Sequence, residues 1–142
     1  MRRRDFAWYS AGLFFALATA VSSWAAGGEE SYSGKWQSED KSTELLVDHT
    51  GDDVHVKEQR AGKVLCEYTC KLDGKNCSFK EEGKKATVSV YFNGPKLVEI
   101  RTRGEVVLKR RFGLKNEGKI LEVELMPIAP PGKTETILYA KQ

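Results

Sequence analysis

What this chain lacks narrows its chemistry before any motif is read. Its best apolar run, Phe6 through Ala20, is interrupted by Ser10, Gly12 and Thr19. That is short of the roughly twenty residues a membrane-spanning helix needs. Three cysteines and two histidines are little to hold a metal with. Cys66, Cys70 and Cys77 form no C-x-x-C, so the redox dithiol is missing, and no second ligand pair completes a zinc site. No Ser–His–Asp grouping, paired carboxylate or glycine-rich phosphate loop occurs. An enzyme, a metal site and a bound cofactor are therefore not expected. Helical periodicity is almost absent, which excludes a helical core.

What is present begins with an export signal. Arg2, Arg3 and Arg4 precede the apolar run, and small residues follow at Ala18, Ala20, Ser23, Ala25 and Ala26. A basic head, an apolar middle and an A-x-A-like exit mark a cleavable secretory signal. The expected division is a signal over residues 1–25 and a single domain over 26–142. Arg3-Arg4-Asp5-Phe6 is similar to the R-R-x-F core of twin-arginine signals, a bacterial route, with an ordinary Sec signal as the alternative. A periplasmic or secreted protein is expected, with no stable membrane insertion once the signal is cut.

Removing that segment changes the charge. The whole chain carries 23 basic and 20 acidic residues; without Arg2, Arg3, Arg4 and Asp5 the balance is 20 against 19. A near-neutral domain lacks the basic stripe that phosphate backbones select, so nucleic acid is not an expected partner.

Alternation with a period of two dominates the remainder. Val64, Cys66, Tyr68, Cys70 and Leu72 share one face, as do Ala86, Val88, Val90 and Phe92. Val106, Leu108, Phe112 and Leu114 repeat the pattern, and so do Leu121, Val123 and Leu125. Strands with one dry and one wet face are typical of antiparallel sheets. Glycine-centred turns separate them, at Gly51, Gly62, Gly74, Gly83, Gly94, Gly104 and Gly118. The acidic residues are expected on outward faces and turns. Pro127, Pro130 and Pro131 predict an irregular connection over 126–133. The fold class is all-β: an antiparallel up-and-down meander of about eight to nine strands, closed into a small barrel so that no edge is left unpaired.

The opening Gly34-Lys35-Trp36 resembles the G-x-W start of lipocalin-like (calycin) barrels. The Leu72–Lys75 hairpin and the Tyr139–Gln142 ending are similar to those of small exported bacterial domains of that type. The resemblance implies that Trp36 closes one end of the barrel beneath a basic side chain from a late strand. Lys141 stands where the family carries arginine, and its middle T-D-x motif has no counterpart here. It also implies a non-enzymatic protein that takes a small apolar or acidic ligand inside. The alternative is a filled barrel whose surface meets a protein or an envelope component.

Particular residues carry these alternatives. Arg110 interrupts the apolar face between Leu108 and Phe112. It either receives an acidic ligand head or lies over Trp36 as a structural cap. Tyr68, Phe92, Leu108 and Tyr139, with Val56, Val90 and Ile100, are the apolar candidates to line a cavity. In an oxidising compartment a disulfide is expected. If Asp73-Gly74 is a two-residue loop, Cys70 falls opposite Cys77, whereas Cys66 and Cys70 stand about 13 Å apart along one strand. Cys66 is then a buried hydrophobe. In a three-residue loop His49 and His55 would face each other as a metal clip; solvated residues at a hairpin mouth are the simpler reading.

Overall fold

The computed structural model describes residues 31–142, so the expected signal lies outside the described residues. Ten strands run in order: β1 (Gly34–Ser38), β2 (Thr43–Thr50), β3 (Asp53–Arg60), β4 (Lys63–Lys71) and β5 (Cys77–Glu81), then β6 (Lys84–Asn93), β7 (Lys96–Arg103), β8 (Val106–Lys115), β9 (Ile120–Ala129) and β10 (Glu135–Lys141). Each pairs antiparallel with the next, and β1 pairs with β10, closing the barrel. The sheet therefore has no free edge.

The strand count exceeds the expected eight to nine because one corner escapes the glycine pattern. The turn between β1 and β2 contains no glycine. Lys41 takes a left-handed backbone there, with φ at 61°. The Asp40 carboxylate holds the turn by accepting from Ser38 Oγ, Ser42 N and Ser42 Oγ at 2.6–2.9 Å. Those bonds also lower its pKa to about 2. β9 also continues through Pro127, where only an irregular connection was expected. Leu108 pairs with Pro127 but Val107 with Ala129, so the ladder bulges by one residue. A bulge is where a strand tolerates proline, which has no N–H to donate.

Every strand sends apolar side chains inward to one buried cluster, from Trp36 on β1 to Tyr139 on β10. Along β7 the inward alternates are Leu97, Glu99 and Arg101, all buried. Ile100 falls on the outward alternate and cannot line the interior as expected. Since successive turns alternate between ends, one end of the barrel carries the hairpin connections after β1, β3, β5, β7 and β9. We call it the mouth, and the other end the floor.

Candidate functional site

The floor explains the Gly-Lys-Trp opening. Trp36 is fully buried, and its indole Nε1 donates to the Tyr32 carbonyl at 3.0 Å. The Tyr32 hydroxyl lies 2.6 Å from the Pro95 carbonyl and 3.0 Å from that of Phe112, tying the entering chain across the floor. Lys141 Nζ stands 5.7 Å from the centre of the Trp36 ring, a cation–π stack. Gly34 makes room for it. A Cβ there would meet Lys141 Cε at 3.2 Å, and the backbone φ of +152° suits glycine.

Arg110 therefore does not cap Trp36. Its guanidinium lies 5.1 Å from the Phe112 ring centre and faces charge that sequence reading had placed outside. Glu99 on β7, directly opposite Arg110 in the ladder, points inward with no exposure at all. Arg110 Nε donates to Glu99 Oε1 at 2.7 Å and its Nη2 to Oε2 at 2.9 Å, a bidentate fork. Arg101 Nε adds a bond to Oε1 at 2.8 Å, and the Tyr68 hydroxyl donates to Oε2. One carboxylate thus takes four hydrogen bonds.

The network reaches across the lumen. Arg110 Nη1 and Arg101 Nη2 both bond Glu58 Oε2 on β3 at 3.1 Å, and Arg101 Nη1 bonds Glu81 Oε1 at 3.0 Å. β3 and β8 are five places apart whichever way the ring of strands is followed. Arg110 and Glu58 accordingly join diametrically opposed walls. Burial alone would push the Glu99 carboxyl up, but Arg101 and Arg110 overcome it and hold it at about 2. Glu58 is also lowered: burial opposes, and Arg110 and Arg101 win. Burial and the Glu99 charge raise the Tyr68 phenol well above its ordinary value, so it is a donor throughout the neutral range.

The remaining residues singled out from sequence are spread along the barrel. Tyr139 is buried, and burial with the nearby Glu58 charge raises its hydroxyl pKa. Leu108 lines a concavity of about 200 Å3 at the mouth, with Glu81, Arg101, Arg103 and Val106. Phe92 sits at the floor, its ring 6.1 Å from that of Tyr32 and 5.6 Å from that of His49. Of the five proposed ligand contacts, only Arg110 and Tyr68 meet through a shared partner. Sequence reading missed Glu58, Glu99 and Arg101. Their signal was there in the alternation: Glu58 continues the inward series of Val54 and Val56, and Glu99 and Arg101 that of Leu97.

Cys70 and Cys77 form a disulfide, as expected from the Asp73-Gly74 register, with Cα atoms 5.8 Å apart. Cys66 is free and buried, its thiol pushed up to about 12 chiefly by burial. The two histidines lie on opposite faces. His49 pairs with Val54 and His55 with Asp48, because the loop has two residues, so no clip forms. Among the described residues no cluster of three potential ligands could hold a metal ion.

No family model matches the sequence, and no curated protein does. Solved structures do match in shape. A secretory abundant heat soluble protein from Ramazzottius varieornatus superposes with a TM-score of 0.68 at 14% identity, over 83% of this chain and 100% of its own. The fold is calycin-type. A Schistosoma mansoni fatty acid binding protein in complex with arachidonic acid gives 0.66 at 14% identity, covering 82% of this chain and 99% of that one. Fatty-acid-binding protein 1 of Echinococcus granulosus gives 0.62 at 12% identity, covering 78% and 96%. At such identities the likeness speaks for this calycin-type barrel's architecture alone.

Proposed function

We propose that this is an exported, non-enzymatic binding barrel, with a cleaved signal over residues 1–25 and a domain over 26–142, whose interior is filled and whose outer surface meets its partner. The observation that carries the reading is the Arg110–Glu58 bridge between opposite walls. A lumen crossed by an ion pair has lost the space a guest would fill at that level. Among the described residues, every buried side-chain nitrogen and oxygen already has a hydrogen-bond partner, so none awaits a guest. A concavity of about 570 Å3 opens instead beside the outward alternates Ser78, Lys80, Lys85, Thr87 and Thr102. Lys80 and Lys85 stand directly opposite each other in the ladder. Like charges so placed repel, Glu67 opposite Lys80 on its other side offsets part of that, and an acidic envelope component would relieve the rest. The disulfide supports an oxidising compartment, the Arg3–Phe6 pattern supports bacterial export, and binding proteins among the similar structures support binding over catalysis.

Native mass spectrometry of the protein from its own compartment tests the filled interior. The expected spectrum holds the bare chain; a copurified small molecule overturns the reading. The surface role predicts that Lys80→Glu with Lys85→Glu abolishes cosedimentation with isolated cell envelopes.

A second reading, a small apolar or acidic guest inside, is favoured by the convergence of Arg110 and Tyr68 on one carboxylate. Phe92, Leu108 and Tyr139 would supply its apolar contacts. Titration with fatty acids and retinoids, followed through Trp36 fluorescence, tests it; a flat response removes it.

A further inference from the structure

The outer faces of β5, β6, β7 and β8 carry charge of one sign. Their outward alternates include Lys80, Lys85, Lys96, Lys109, Arg111 and Lys115. They include no acid, because Glu81 and Glu99 turn inward to the arginines. Lys96 and Arg111 are paired with Glu124, and Lys115 with Glu122. Among the described residues, Lys80, Lys85 and Lys109 have no ion pair, and neither do the turn acids Glu82 and Glu105. Glu67, across the seam from Lys80, already lies 3.8 Å from both Lys57 Nζ and His55 Nε2.

Between these free cations runs a row of hydroxyls. Ser78 pairs with Thr87 and Thr87 with Thr102, so three short polar side chains stand abreast on neighbouring strands. The row spans about 10 Å across the sheet. Lys80 and Lys85 lie about 7 Å from it along the strands toward the mouth. Lys109, opposite Ile100, lies about 7 Å along them toward the floor. Short side chains beside the long lysines leave the concavity of about 570 Å3. Among the described residues, none of the three hydroxyls has a hydrogen-bond partner.

A ligand that fits brings acid groups to the lysines and hydroxyls to the hydroxyl row. An ammonium is a point charge that takes any oxyanion, whereas Ser and Thr hydroxyls both donate and accept, as sugar hydroxyls do. Phe79 and Ala86, the apolar residues in the lining, are buried, so nothing there would enter a bilayer. We propose that this face binds an acidic polysaccharide, a step that rests on the surface-binding reading and adds the class of the partner.

Polygalacturonate is the probe, with neutral dextran, polyphosphate and phosphatidylglycerol vesicles beside it. The purified protein should bind polygalacturonate, release it as salt rises, and leave dextran unbound. Lys80→Ala with Lys85→Ala should weaken that binding by about tenfold. Thr87→Val with Thr102→Val keeps shape and charge and should weaken it by about fivefold. The same pair should leave the weaker binding of polyphosphate, which has no sugar hydroxyls, where it was. Circular dichroism should show both variants folded; if the valine pair is not, Ser78→Ala takes its place. Absence of polygalacturonate binding by wild type overturns the inference, as does undiminished binding by the lysine variant. A hydroxyl variant that binds both polymers as wild type does, or loses both equally, marks a patch for any anion and overturns it too. So does tighter binding to the vesicles. Wild-type protein that cosediments with cell envelopes yet does not bind polygalacturonate would remove the polysaccharide and leave the surface-binding reading standing.

Discussion

Arg110 and Glu58 sit on strands that face each other across the barrel, and their side chains meet at 3.1 Å. Such a contact holds only if both groups are compensated elsewhere, because an isolated buried charge is too costly. Glu99 supplies the compensation for Arg110, and Arg101 binds both acids. The four side chains stand or fall together.

Arg110→Met should therefore cost about 3–5 kcal/mol, since it strands Glu99 with too few donors in a dry environment. Urea unfolding followed by circular dichroism measures it. A loss under about 1 kcal/mol, the value of an exposed pair, would show that water reaches the network.

The same network sets an acid limit. Glu99 is held at about 2, below its ordinary 4.5. A carboxyl whose folded pKa is depressed contributes stability that is complete above the unfolded value. It is lost as pH falls toward the folded one. Stability should be level above about pH 5 and decline between there and about pH 2, by on the order of 3 kcal/mol from Glu99. Glu99→Gln should flatten that decline. An unchanged acid slope in the variant would assign the decline to other carboxyls.

Gly34→Ala should destabilise the floor. The new methyl meets Lys141 Cε and forces a backbone that alanine rarely adopts. A cost of about 1–3 kcal/mol is expected. Trp36 emission should shift to the red as the indole gains water. A variant as stable as wild type, with unchanged emission, would mean that the Lys141 stack moves aside freely.

Cys66 should resist alkylation in the native protein. It is buried, and a thiol pushed up to about 12 offers almost no thiolate at neutral pH. Mass spectrometry after brief iodoacetamide treatment should find it unmodified, and modified once urea is added. Labelling at equal rates in both conditions would show that β4 opens readily.

Period-two alternation made the barrel legible. Glycine corners marked most hairpins, and Asp73-Gly74 gave the Cys70–Cys77 register. The β1–β2 corner was hidden because Asp40 builds it with side-chain bonds that no glycine announces. Pro127 was read by its missing N–H, and the bulge that accommodates it depends on β8, a partner a linear reading does not see. The site was legible only in half. Arg110 stood out as a lone cation on an apolar face, but Glu99 was assigned outward by its charge although its alternation with Leu97 put it inside. Pattern was the better guide than polarity at that position, because the arginines that make burial tolerable lie on the same and the neighbouring strand.

The seam between β4 and β5 has two paired positions, Cys66 with Glu81 and Glu67 with Lys80, fewer than any other seam in the barrel. Cys70 and Cys77 continue the same register four residues further along β4. The sulfur bridge thus serves as a covalent rung where amide rungs run out. A chain with both thiols reduced has this wall fastened at one end only. Oxidation fastens the other, so the redox state of the surroundings decides whether the wall is complete.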